Sequence, residues 1–244
     1  VYKRQVPELA RLARARGAKL VVDNTFCPLI VSPLRHGADI VVHSLTKFMN
    51  GASDVIAGAI CGTTAFIQTL MDLHQGSLML LGPTMDPIVA YDISLRLPHL
   101  GLRMAEHSRR ALILATRLSE LGVPVIYPGL PAHPEHGLLS RLKNADFGFG
   151  GLFCIDAGTT ERAFALMEEL QNRDRFGYMA VSLGYFDTLM SCSAATTSSE
   201  MPGDALARAG VLPGLVRVSI GYTGSVEQRW RQLEDALRHV GMIR

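Results

Sequence analysis

The sequence predicts an α/β fold that passes into an α+β C-terminal part. Three observations predict it. Short Val-rich runs separated by loops and helical stretches lie in the first third of the chain, as in an α/β sheet buried on both faces. A long helical pattern then leads away from them. After Gly122 strands and helices alternate with different spacings and turn chemistry.

Residues 7–16 read as a helix, with Leu9, Leu12 and Ala13 at helical spacing and Gly17 closing it. Residues 19–23 form a short apolar run ending at Asp23, and read as a buried strand. Pro28 and Pro33 break the next stretch into a loop. Residues 38–43 and 54–61 give two more strands, and a helix follows from Gly62-Thr63 to about His74. Residues 85–121 are helical in pattern but contain Pro98, which removes a backbone donor and bends or breaks the helix. The break sets the expected boundary between a first domain, 1–97, and a second, 98–244. In the second, 123–127, 151–156 and 215–221 read as strands; 136–142, 160–171 and 225–240 read as helices. The last helix carries a stripe of Val226, Trp230, Leu233, Leu237 and Val240. The Ser/Thr-rich segment 182–201 takes no assignment. No internal repeat is present.

The 244 residues are 48% hydrophobic and 19% charged, enough for a sizeable core and incompatible with a disordered chain. A net charge of +2 excludes a strongly basic nucleic-acid or membrane-surface binder. No apolar run approaches the ~18 residues of a membrane span. The four cysteines, Cys27, Cys61, Cys154 and Cys192, form no C-x-x-C pair, so neither a disulfide framework nor a metal site is expected. A cytoplasmic protein follows from that and from the lack of a signal-peptide pattern. The start at Val1 suggests a piece of a longer protein.

Chemistry gathers between Asp23 and Asp54. Asp23 ends one strand, Ser44, Thr46 and Lys47 follow the next, and ligands of open α/β sheets sit at strand C-terminal ends. A lysine amine is a nucleophile when desolvated. Hydroxyls suit a phosphate, and an acid suits a ring nitrogen that must stay protonated. Those three needs meet in pyridoxal phosphate. The flanking strand 215–221 places Val216, Val218 and Ile220 on one face and Arg217 and Ser219 on the other. An arginine fork opposite an apolar face fits a carboxylate.

The strings Val21-Val-Asp-Asn-Thr-Phe26, Gly37-Ala-Asp-Ile-Val-Val-His-Ser-Leu-Thr-Lys-Phe48 and Gly51-Ala-Ser-Asp-Val-Ile56 strongly resemble the Cys/Met-metabolism, or transsulfuration, group of pyridoxal-phosphate enzymes. Tyr127-Pro-Gly-Leu-Pro-Ala-His-Pro134, Val181-Ser-Leu-Gly184 and Leu215-Val-Arg-Val-Ser-Ile-Gly221 extend the resemblance in the right order. It implies a pyridoxal-phosphate-dependent transferase fold of type I, with part of the large cofactor domain and the small C-terminal domain. It also implies that Lys47 is the Schiff-base lysine and proton shuttle, and that Asp23 pairs with the pyridine nitrogen. Ser44 and Thr46 would contact the phosphate or hold Lys47; Ser182 and Arg217 would bind the substrate carboxylate. The family's N-terminal part, with a phosphate-binding Gly turn and a ring-stacking aromatic, has no counterpart here. Phe48 stands where Tyr is common, and 185–193 departs from the usual Glu-Ser/Thr-Leu and His-Pro stretch.

The expected activity is α,γ-elimination of methionine or a related sulfur amino acid, in a homotetramer. The alternatives are γ-replacement, as in cystathionine γ-synthase or O-acylhomoserine sulfhydrylase, and a non-catalytic fragment. Ser44-Leu-Thr-Lys47 also matches the S-x-x-K of acyl-enzymes, but no K-T-G follows. His133 and His136 have no Cys or Asp partner nearby and read as a surface loop. His43 reads as strand-end packing, and Cys192 as a small packing residue.

Overall fold

A computed structural model describes residues 5–196, 200 and 203–244. The opening residues 1–4, and 197–199 and 201–202 of the Ser/Thr-rich segment, lie outside the described residues.

Helix α1 (Val6–Arg14) ends as its glycine predicts. Gly17, at φ +64°, donates to Arg14 O, and Ala18 donates to Ala13 O, the paired bonds of a Schellman turn. Strand β1 (Val21–Asp23) runs parallel to β2 (Ile40–Ser44), with Val21 opposite Ile40 and Asp23 opposite Val42. Strand β3 (Gly58–Cys61) pairs antiparallel on the other side, so β2 is central. The expectation of burial on both faces holds for Ile40 and Val41 alone. Val21 is 53% exposed and Ile60 41%, because β1 and β3 are outer strands of a three-stranded sheet. The third strand also starts four residues late, at Gly58, since Ala57 turns back to bond Leu45 and Thr46.

Helix α2 (Thr64–Leu70) is capped by Thr63, whose Oγ1 accepts from Phe66 N. It stops short of His74 because the Asp72 carboxylate takes the His74 and Gln75 N–H groups and turns the chain. A short α3 (Ser77–Leu81) follows. The long helical pattern divides at Pro98 into α4 (Pro87–Arg96) and α5 (Leu100–Glu120). Asp86 caps α4, with Pro87 at its first position.

Past α5 come β4 (Val125–Ile126), α6 (His136–Leu142), β5 (Leu152–Asp156) and α7 (Thr160–Glu168), which runs into a π-helical turn over Glu169–Arg173. Then follow β6 (Tyr178–Met179), β7 (Leu189–Cys192), α8 (Gly203–Ala209), β8 (Leu215–Ser219) and α9 (Val226–His239). The strands make one sheet, in the order β4-β5-β8-β7-β6. β7 lies inside the segment left unassigned from sequence. All four of its residues are buried, so it shows no polar–apolar alternation to detect.

One face of this sheet, with Phe153, Ile155, Met190, Cys192, Val216 and Val218, packs against α5, α7 and α9. Leu233 and Leu237 of the expected stripe are fully buried, while Trp230 and Val240 pack only partly. A second cluster, with Cys27, Ile30, Phe48, Leu100, Met104, Leu139 and Leu183, joins the two sheets' territories. Among the described residues no helix is long and apolar enough to cross a membrane.

Candidate active site

Parallel pairing puts the C-terminal ends of β1 and β2 side by side, and the site is built there. The Asp23 carboxylate accepts from Thr25 N at 2.9 Å, and Thr25 Oγ1 accepts from Ser44 N at 2.8 Å. This chain of bonds ties the end of β1 to the end of β2. Beyond Ser44 the backbone curls: Lys47 N bonds Ser44 O, Asn50 N bonds Leu45 O, and Gly51 N bonds Lys47 O. Thr46 Oγ1 accepts from Ala57 N at 3.1 Å, so its hydroxyl braces the return strand. His43 Nδ1 is buried without a partner; burial lowers its pKa, and the charge of Asp23 opposes that shift.

The other wall comes from the C-terminal sheet. Val216 and Val218 point into the core, so Arg217 and Ser219 face the opposite side, as the alternation predicts. Over that face lies the loop 182–184. Ser219 Oγ accepts from Gly184 N at 2.9 Å, and Arg217 Nη2 donates to Ser182 O at 2.8 Å. Lys47 Nζ in turn donates to Ser182 Oγ at 2.9 Å. Lys47, Ser182 and Arg217 are thus brought into one contiguous group, across 135 residues of sequence between the first two.

Arg217 Nε is buried without a hydrogen-bond partner, as is Ser191 Oγ directly across the β7–β8 ladder. Cys154 occupies the matching place on β5. Burial lowers the Arg217 pKa and pushes the Cys154 thiol up to about 11. A half-desolvated guanidinium with a spare N–H is primed for an anion.

The two walls touch directly. Gly184 adopts φ +77°, and a Cβ there would sit 2.5 Å from Phe48 N and 2.8 Å from Phe48 Cα. Phe186 N donates to Gly51 O at 3.0 Å. The Lys47 loop is therefore clasped by the loop that carries Ser182.

Sequence reasoning assigned no site role to Thr25, Arg103 or His107. Thr25 had a signal, since a threonine two residues after a strand-ending Asp is a turn pattern. Arg103 and His107 had a fainter one. They share α5's buried face with Leu100, Met104, Ala111 and Leu114, where polar side chains need partners. The His107 ring lies edge-on to Phe48 and Tyr222, and its Nδ1 meets Ile220 O at 2.5 Å. His136 Nδ1 meets Pro128 O and its ring stacks on Phe149. Among the described residues no group of three or more His, Cys, Asp or Glu side chains could hold a metal ion.

The family model described as Cys/Met metabolism PLP-dependent enzyme matches residues 4–238. A methionine γ-lyase of Arabidopsis thaliana is 55% identical over 231 residues, covering 95% of this chain and 52% of that protein. An O-succinylhomoserine sulfhydrylase of Pseudomonas aeruginosa is 34% identical, over 88% of this chain and 52% of that protein. A crystal structure of cystathionine γ-synthase from Xanthomonas oryzae superposes with a TM-score of 0.87 at 32% identity, covering 98% of this chain and 60% of that one. The chain spans about half the length of the curated relatives it matches.

Proposed function

The chain belongs to the Cys/Met metabolism PLP-dependent enzyme family, and from that premise we propose that the protein it comes from is a carbon–sulfur lyase. It would act on methionine or a related sulfur amino acid by α,γ-elimination, giving a 2-oxo acid, ammonia and a thiol. The observation that carries the reading is the Lys47–Ser182–Arg217 group. It sets an amine with one hydrogen-bond partner beside an arginine that has a buried N–H to spare. The 55% identity to a methionine γ-lyase favours elimination.

These residues fit pyridoxal phosphate. Lys47 would hold its aldehyde carbon, Asp23 its ring nitrogen, and Ser44 with Thr46 its phosphate. When bound, that group supplies an electron sink for a carbanion at the amino-acid α-carbon. This chain's own residues would do the rest. The Arg217 fork binds the substrate carboxylate and fixes the α-carbon relative to Lys47. Ser182 supports both partners, its carbonyl on Arg217 and its hydroxyl on the Lys47 amine. Once free, the Lys47 Nζ would remove the α-proton and then a β-proton as the γ-carbon–sulfur bond breaks, and would return a proton to the departing thiolate. The Asp23 carboxylate, anchored by Thr25 N, stays oriented for a protonated ring nitrogen.

The same reading takes 1–97 as cofactor-domain and 98–244 as small-domain sequence, and a soluble cytoplasmic homotetramer as the working form. Exposed apolar side chains between Met71 and Leu102, among them Leu73, Leu81, Ile88 and Tyr91, support burial against further protein. Four free cysteines support a reducing compartment.

The test uses the full-length protein with L-methionine, and separately with O-acylhomoserine plus a thiol. Formation of 2-oxobutanoate from methionine without added thiol is the expected result. Turnover only of O-acylhomoserine, and only with thiol, replaces elimination by γ-replacement. A Lys47→Ala variant with normal turnover refutes the mechanism.

A further inference from the structure

Arg103, on α5, is only 7% exposed, yet among the described residues no carboxylate pairs with it. Its four acceptors are three backbone carbonyls and one imidazole nitrogen. Nη1 donates to Phe48 O at 2.5 Å, Nη2 to Met49 O at 2.8 Å and Arg96 O at 3.2 Å, and Nε to His99 Nδ1 at 2.9 Å. A guanidinium keeps its charge, so carbonyl dipoles must replace the water it has lost. Two of those carbonyls belong to the residues immediately after Lys47. Gly51, at φ +78°, completes the wrap, because a Cβ there would overlap Arg103 Nη1. From the far side of the Pro98 break, Arg96 holds the next part of the same loop. It donates to Asn50 Oδ1 and binds Asp54 through both terminal nitrogens.

Arg110 supplies the contrast. It is on the same helix and also 7% exposed, but it pairs with Glu106 and holds the Thr223 and Gly224 carbonyls, away from Lys47. The two arginines thus carry similar burial and a similar number of bonds. Only one touches the lysine loop.

We propose that Arg103 is a positioning residue for Lys47: its guanidinium pins the Phe48 and Met49 carbonyls and thereby sets the direction of the Lys47 amine. The proposal rests on the reading of Lys47 as the cofactor-holding lysine. A planar fork can reach both carbonyls and the α4 end at once, whereas an ammonium is a single point of charge.

The test compares the full-length protein with its Arg103→Met, Arg103→Lys and Arg110→Met variants. Pyridoxal phosphate is titrated, borohydride added, and the pyridoxyl label on Lys47 counted by mass spectrometry. The melting temperature of each cofactor-free protein is measured alongside. Both Arg103 variants are expected to raise the half-saturating concentration at least tenfold, Arg103→Lys with the smaller loss of melting temperature. Arg110→Met is expected to lower the melting temperature and leave the half-saturating concentration within twofold of the parent. Labelling of both Arg103 variants at the parent's concentration, or an equal rise in Arg110→Met, overturns the proposal. A parent protein that takes no label at Lys47 overturns it together with the reading beneath it.

Discussion

Acid should weaken this fold in part through His107. His107 is fully buried in α5, between the rings of Phe48 and Tyr222. Its Nδ1 faces the Ile220 carbonyl, which can only accept, so Nδ1 carries the proton and Nε2, buried without a partner, is the site that would gain one. Burial is the main reason its pKa falls from 6.5 to about 4; the Ile220 bond and Glu106 oppose the fall, and Arg103 and Arg110 add to it. Between those two values the unfolded chain binds a proton that the folded chain refuses. The contribution of His107 is therefore full above pH 6.5, declines as pH drops through the window, and levels off below about 4. The whole gap is worth about 3 kcal/mol, and the part reached by pH 5 about 2 kcal/mol. Urea midpoints of the parent and of His107→Gln, taken from pH 7.5 to 5, isolate it. His43 and His133 also have pKa values lowered by burial, but both remain in the variant and cancel in the difference. The parent should lose about 2 kcal/mol more than the variant over that range. Parallel curves would mean that His107 is hydrated or paired when folded, and would refute the account.

Two further outcomes are expected. Gly184→Ala places a Cβ 2.5 Å from Phe48 N at φ +77°. The left-handed backbone costs about 1–2 kcal/mol and the overpacking about 1–3 kcal/mol, so calorimetry should show a loss of at least 2 kcal/mol. A loss under 1 kcal/mol would show that the two loops do not meet so closely. Arg217→Lys keeps the charge but loses the fork and its bond to Ser182 O. In the full-length enzyme KM for the amino acid should rise about tenfold, matching about 1.5 kcal/mol for one charge-assisted hydrogen bond, with a smaller change in kcat. An unchanged KM would remove Arg217 from the carboxylate site.

Much of the architecture was legible because local signals agreed with the global packing. Pro98 divides the α4–α5 pattern where the ring forbids continuation, Gly17 closes α1, and Thr63, Asp86 and Ser225 cap their helices. The alternation in Leu215–Ser219 correctly set Arg217 apart from the core. What stayed hidden had non-local causes. β7 is buried on both faces by elements distant in sequence, so its pattern looks like any apolar run. The first sheet reads as buried from its valines, but the surface that would cover Val21 and Ile60 is not supplied by the described residues. In the site, Asp23, Ser44 and Lys47 follow from strand ends, whereas three of the four partners of Arg103 are backbone carbonyls, which leave no trace in side-chain identity.

The placement of the buried polar groups explains why the Lys47 loop must be held from outside itself. Between Ser44 and Gly58 the chain leaves the sheet, with Ser53 at φ +54° and Gly51 at φ +78°, conformations that no strand or helix stabilises. Three sources supply what the loop lacks. Thr25 fixes its start through Ser44 N. Arg96 and Arg103 fix its middle from either side of Pro98. Ser182, Gly184 and Phe186 close over it from the C-terminal sheet. Two of these three sources are absent until α4, α5 and the C-terminal sheet have packed. The direction of the Lys47 amine is thus a property of the docked halves rather than of the first sheet. A substitution that loosens the Phe48–Leu100–Met104–Leu183 cluster should therefore reach Lys47 without touching it.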